Sequence, residues 1–181
     1  MTTESATPLE PMAVVVMGVA GCGKSTVGEA CARRLGWHLI EGDEHHSSSA
    51  VEKMRHGIPL TDEDRAGWLA RLGSLLRQEA ALHEGAVLTC SALKRQYRDA
   101  LRAAVPELRF VFLDIDQQTA QARVAARPEH LFPASLVTSQ FATLESPIGE
   151  PNVLRVSATD PLDEVVATVV AWMTSSDRSP K

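Results

Sequence analysis

Apolar positions along this chain fall into short unbroken runs separated by amphipathic stretches, the pattern of buried strands alternating with helices. Residues 13–17 contain no polar position, which suits a strand covered on both faces. Residues 24–35 carry a helical pattern that Gly36 stops, and 37–41 form a short second strand. Residues 47–56 predict a short helix closed by Gly57 and Pro59. Thr61-Asp62-Glu63-Asp64 then makes a capping box, with Thr61 as N-cap and Asp64 at N3. It opens a long helix to about His83, which Gly85 ends. A third strand covers 87–90, a helix 93–104 and a fourth strand 109–114. The helix expected over 116–127 places Arg123 and Arg127 at i and i+4 on one face. After Pro128 come a loop to Pro133, a helix over 134–145, a fifth strand over 153–156 and a last helix over 162–173. This alternation predicts a doubly wound α/β sheet in one domain, residues 12–173, between loose tails at 1–11 and 174–181.

The link between the first strand and the first helix carries the chemistry. Gly18-Val19-Ala20-Gly21-Cys22-Gly23-Lys24-Ser25 fills the pattern G-x-x-x-x-G-K-[ST] in the strand-to-helix context that a phosphate-binding loop requires. Glycines at 18, 21 and 23 let successive backbone N–H groups turn inward around phosphate oxygens. Lys24 is placed to reach the β- and γ-phosphates and the Ser25 hydroxyl to sit on Mg²⁺. Gly18, Gly21, Cys22, Gly23, Lys24, Ser25 and Thr26 are the candidate nucleotide contacts. A bare glycine turn would not need Lys-Ser at that offset. Asp43, leaving the second strand at the end where open parallel sheets bind ligands, can take a hydroxyl proton or hold Mg²⁺ through water. Ser25 and Asp43 are therefore the metal candidates.

Composition narrows the partners. The chain has 181 residues, 44% of them apolar, enough for one domain with a substantial core. Its 18 basic against 23 acidic residues give a net charge of −5, which argues against a nucleic-acid or acidic-membrane binder. No apolar run spans a bilayer and residues 1–11 lack the features of a signal peptide, so a cytoplasmic protein is expected. Cys22, Cys31 and Cys90 have neither disulfide-framework nor zinc spacing. Of the three, Cys22, beside Lys24 near a helix start, is the candidate for a lowered pKa.

Beyond the loop, the chain resembles the gluconokinase family of small P-loop kinases over residues 13–173. The resemblance lies in Met17-Gly18-Val19, in Gly42-Asp43 with His46, in Glu52-Lys53-Met54, and in the run Gly57 to Arg65 with Trp68. It continues through Cys90-Ser91-Ala92-Leu93-Lys94, Tyr97-Arg98-Asp99, Arg123, Arg127, His130 and Phe132. Gln140-Phe141, Thr143-Leu144-Glu145 and Pro147 complete it. Ser47 follows His46 where the family commonly has proline, and Pro128-Glu129 stands where it tends to have a basic residue and glycine.

The resemblance implies an adenylate-kinase-like three-layer fold with a five-stranded parallel sheet, a substrate-binding helical segment and a lid at about 123–140. It also implies a homodimer and ATP-dependent phosphorylation of D-gluconate at its 6-hydroxyl, with ATP and Mg²⁺ bound. In that frame Lys24, Asp43, Arg123 and Arg127 are the catalytic candidates, the two arginines closing on the transferring phosphate. Asp43, His46, Arg65, Lys94, Arg98 and Gln140 are the substrate-binding candidates. Arg65, Lys94 or Arg98 suits the substrate carboxylate, although Arg65 can equally pair with Asp62 or Asp64. Kinases for shikimate or nucleoside monophosphates are the nearest alternatives, and a slow ATP-hydrolysing switch protein a more distant one.

Overall fold

β1 (Met12–Met17) is the central strand, and the alternation of its side chains builds two cores. Val14 and Val16 pack to one side with Val27 and Cys31 of α1 (Lys24–Leu35), Val124 of α5 (Gln117–Ala125) and Val165 and Val169 of α7 (Leu162–Thr174). Ala13, Val15 and Met17 pack to the other with Leu69, Leu72 and Leu76 of α3 (Asp62–Leu82) and Leu101 of α4 (Arg95–Ala104). Helices on both faces of one sheet make three layers. A smaller cluster joins Ala50 and Met54 of α2 (Ser48–Arg55) to Leu60 and to Leu136 of α6 (Ser135–Thr143).

The structure, a computed structural model, describes residues 12–127 and 133–175. The remaining strands are β2 (His38–Glu41), β3 (Gly85–Thr89), β4 (Arg109–Asp114) and β5 (Val153–Ser157). All pairings are parallel, in the order β2-β3-β1-β4-β5. Sequential direction reverses beside β1, so the crevice at its C-terminal end is the switch point where such sheets bind ligands. Among the described residues no helix is long and apolar enough to cross a membrane.

The helix expected over 24–35 and its left-handed stop at Gly36 are found, as is the reciprocal Thr61/Asp64 capping box. Three expectations differ for local reasons. Gly85 begins β3 rather than ending α3, because Trp37 lies over it so closely that a Cβ would meet the indole at 2.4 Å. Helix α4 starts at Arg95, capped by Lys94, and not at 93, since residues 91–93 give their carbonyls to partners outside the helical ladder. Ser91 O accepts from Gly18 N, Leu93 O from Glu145 N and Ala92 O from Arg98, with Ala92 at φ 46. Arg127 lies beyond the end of α5, because the residue before Pro128 is disfavoured in helical conformation, so the arginines at 123 and 127 do not share a helix face.

Arg98 is a correction of another kind. Its side chain is 0% exposed and is shared between Glu150 Oε1 at 2.6 Å, Ala92 O at 2.7 Å and Glu145 O at 3.0 Å. Arg102 holds the second oxygen of Glu150 at 2.8 Å. Here a guanidinium ties the loop after β3 to the loop before β5; it lines neither cavity described below. Arg98→Met, with Arg102 still on Glu150, is expected to cost about 3 kcal/mol of folding stability. Urea unfolding would read this as a lower midpoint, and an unchanged midpoint would contradict the clamp.

Candidate functional site

The phosphate loop wraps the start of α1 and opens into a cavity of about 320 Å³ at the switch point, within the size range of small-ligand sites. Gly21, Gly23, Lys24, Ser25 and Thr26 form its floor with Cys22. Gly21 sits at φ 84 with its Cα so close to α5 that a Cβ would lie 2.6 Å from Ala120 O, so no other residue fits without moving the helix. The N-terminus of α1, with no acidic residue in its first turn, directs its free N–H groups and positive dipole end at the floor. Lys24 Nζ donates to Gly18 O and Val19 O, each at 3.1 Å, which anchors an ammonium over the loop. Cys22 is buried, and desolvation pushes its thiol pKa up against the weaker pull of Lys24, contrary to the lowered value expected.

Arg123 and Arg127 line the same cavity from α5 and from the residues just after it. Arg123 donates to Gly21 O at 3.4 Å and Ala158 O at 3.0 Å, so one guanidinium bridges the loop to the segment after β5. Ala158, Asp160, Leu162 and Val165 supply a more apolar wall suited to a base.

Opposite them, β2 ends at Glu41 and runs into one turn of 3-10 helix, Gly42–His45. Glu41 was not among the candidates, yet its Oε2 accepts from Ser25 Oγ at 3.1 Å and from Thr89 Oγ1 at 2.6 Å. The signal was available: Glu41 and Asp43 bracket the ligand-facing end of a strand at i and i+2. Asp43 lines the large cavity, with its Oδ1 3.7 Å from His46 Nε2. Ser25 and Glu41, bonded to each other, and Asp43 in the cavity wall offer the hydroxyl and carboxylate oxygens that a hard divalent ion takes.

A second cavity of about 20 Å³ adjoins the first, sharing Ser91 and Gln140 with it. His46 lies on Trp68 with ring centres 4.0 Å apart, and Trp68 in turn donates to Gly42 O at 2.9 Å. His46 Nδ1 is buried in the wall of this cavity and has no hydrogen-bond partner among the described residues. Arg65 also lines this cavity and donates to Leu60 O at 2.7 Å and Tyr97 Oη at 3.1 Å, both uncharged, rather than to Asp62 or Asp64. Gln140 Oε1 accepts from Ala20 N at 2.7 Å.

Lys94 lines neither cavity and is paired with Asp62 at 2.9 Å. The Tyr97 hydroxyl and then Lys94 hold the Asp62 carboxyl down to about 2. Lys53 and the Thr61 backbone likewise hold Asp64 to about 2, which keeps α2 tied to the start of α3. His130 and Phe132, and the middle of the span expected as a lid, lie outside the described residues.

Known proteins share this arrangement of sequence and fold. The AAA domain family matches residues 14–149. A gluconokinase of Gluconobacter oxydans (strain 621H) is 46% identical over 169 residues, covering 93% of this chain and 95% of the relative. The crystal structure of a gluconokinase from Sinorhizobium meliloti 1021 superposes with a TM-score of 0.80 at 45% identity, over 90% of this chain and 91% of that one. The unliganded structure of a sugar kinase from Janibacter sp. HTCC2649 gives 0.84 at 38% identity, over 90% and 94%.

Proposed function

The chain belongs to the gluconokinase family of P-loop kinases, and we infer from that membership that it transfers the γ-phosphoryl group of Mg²⁺-ATP to the 6-hydroxyl of D-gluconate. One observation supports the mechanism above all: a phosphate cradle and a smaller pocket meet at Gln140 and Ser91, with Asp43 lining the first and lying 3.7 Å from His46 of the second. A phosphoryl group held by the loop and a hydroxyl held in the pocket then meet where the two cavities adjoin.

Phosphoryl transfer is mostly positioning and charge neutralisation. The loop amides and Lys24 hold the β- and γ-phosphates, and Arg123 and Arg127 spread positive charge over the group in flight. Ser25, Glu41 and Asp43 fit a magnesium ion, which when bound neutralises phosphate charge. Asp43 receives the acceptor's proton, and His46 at 3.7 Å orients that carboxylate or a sugar hydroxyl.

Arg65 is the cation left for the gluconate carboxylate, since Lys94 is paired with Asp62 and Arg98 is locked in the clamp. A cavity of about 20 Å³ has room for one water, so admitting gluconate requires α6 to part from α2. That need supports a mobile lid within about 123–140. A cytoplasmic homodimer is inferred on the family resemblance alone.

The decisive assay measures ADP release from Mg²⁺-ATP with gluconate, shikimate, glycerate or nucleoside monophosphates. A gluconate-dependent rate is expected. A rate indifferent to every acceptor while ATP still binds would overturn the kinase reading in favour of a nucleotide switch.

A further inference from the structure

At the end of the sheet away from the phosphate loop, three side chains meet that the reaction does not use. His38 is the first residue of β2, Glu79 lies in the last turn of α3, and His83 caps that helix. His38 Nε2 lies 3.5 Å and His83 Nε2 3.1 Å from the same oxygen, Glu79 Oε2. The two imidazoles lie face to face, with ring centres 4.9 Å apart and planes 7° from parallel. One donor atom from each of the three residues falls within 4.8 Å of the others. We propose that His38, Glu79 and His83 form a surface site for a divalent ion of the zinc class.

Donor chemistry selects the ion. Two imidazole nitrogens and one carboxylate oxygen are ligands for zinc, cobalt or nickel, whereas magnesium and calcium take oxygen. Spacing agrees: bonds of about 2.0–2.1 Å put the corners of a tetrahedron about 3.3 Å apart. The two N···O separations, 3.5 and 3.1 Å, straddle that edge. Glu79, 20% exposed, is the fixed post, while the histidines, 45% and 47% exposed, can turn about their side-chain torsions to splay from parallel onto one ion. Three protein ligands leave the fourth position to water.

The site is separate from the one that holds nucleotide. His38 lies three residues before Glu41, about 10 Å back along β2. An ion there cross-links an edge strand to the far end of the helix whose first turns carry Asp62 and Arg65. The full ligand set exists only in the folded chain, because His38 is remote in sequence from the i,i+4 pair Glu79 and His83, so the ion stabilises the fold.

The test titrates the untagged full-length chain with Zn²⁺ by calorimetry and with Co²⁺ by visible absorption. One ion per chain is expected. Losing a ligand costs at least as much as losing an outer partner, so His38→Ala, His83→Ala and Glu79→Gln each weaken binding by ~10-fold or more. His56→Ala, which alters an exposed imidazole paired with Glu52 on α2, leaves binding unchanged. All four variants keep the native acceptor-dependent phosphorylation rate when no zinc is added, which shows that they fold. Zn²⁺ at a hundredfold excess over Kd raises the melting temperature of the native chain by roughly 5–10 °C, and that of His38→Ala far less. Failure of the native chain to bind either ion, or binding that survives in both His38→Ala and His83→Ala, overturns the proposal.

Discussion

Asp43→Asn is expected to lower turnover by about 10²–10⁴-fold while leaving the KM for gluconate within a small factor, because an amide keeps the shape of the carboxylate but cannot take a proton. The side chain stands on the 3-10 turn after β2, lines the nucleotide cavity and lies 3.7 Å from His46. Two contacts besides the carboxylate also hold the turn: Gly42 N donates to Thr89 Oγ1, and Trp68 donates to Gly42 O. An unchanged KM beside the lost rate reports chemistry rather than collapse of the loop. Steady-state kinetics with gluconate varied at saturating Mg²⁺-ATP would decide it. A loss of less than tenfold with binding intact would remove Asp43 from the proton transfer.

Lys24→Ala is expected to lower turnover by roughly 10²–10³-fold even at saturating ATP, the cost of deleting one preorganised charge-stabilising donor. Its ammonium is held over the loop by two carbonyls, so little reorganisation separates it from a phosphate oxygen. The fold should survive, because the side chain is only partly buried and α1 begins at the Gly23 cap. Single-turnover measurements separate this loss from weaker nucleotide affinity. Native turnover in the variant would leave the charge stabilisation to Arg123 and Arg127 alone.

What could be read in advance was whatever has a local cause. The strand-loop-helix of residues 12–35 follows from an apolar run, three glycines and a stop at Gly36, all within a few residues of their effect. The Thr61/Asp64 capping box is local in the same sense. Arg98 was not legible, because its burial depends on Glu150, more than fifty positions away in a segment that carries no periodicity. A basic residue in a helix looks the same in sequence whether its partner is a substrate or a buried glutamate. Glu41 was missed for the converse reason. It read as the last position of a strand, and only the register of β2 on β3 brings it against Thr89 and Ser25. Arg127 fell off its helix through a rule visible in the sequence, the proline that follows it.

The hydrogen bond from Ala20 N to Gln140 links the nucleotide and acceptor sides energetically. Gln140 belongs to α6, the wall whose movement we propose admits gluconate, and Ala20 belongs to the phosphate loop. Moving the wall leaves a loop amide to find another acceptor, and a phosphate oxygen is the natural replacement. Each substrate thereby lowers the cost of admitting the other. By thermodynamic reciprocity, the factor by which nucleotide tightens gluconate binding equals the factor by which gluconate tightens nucleotide binding.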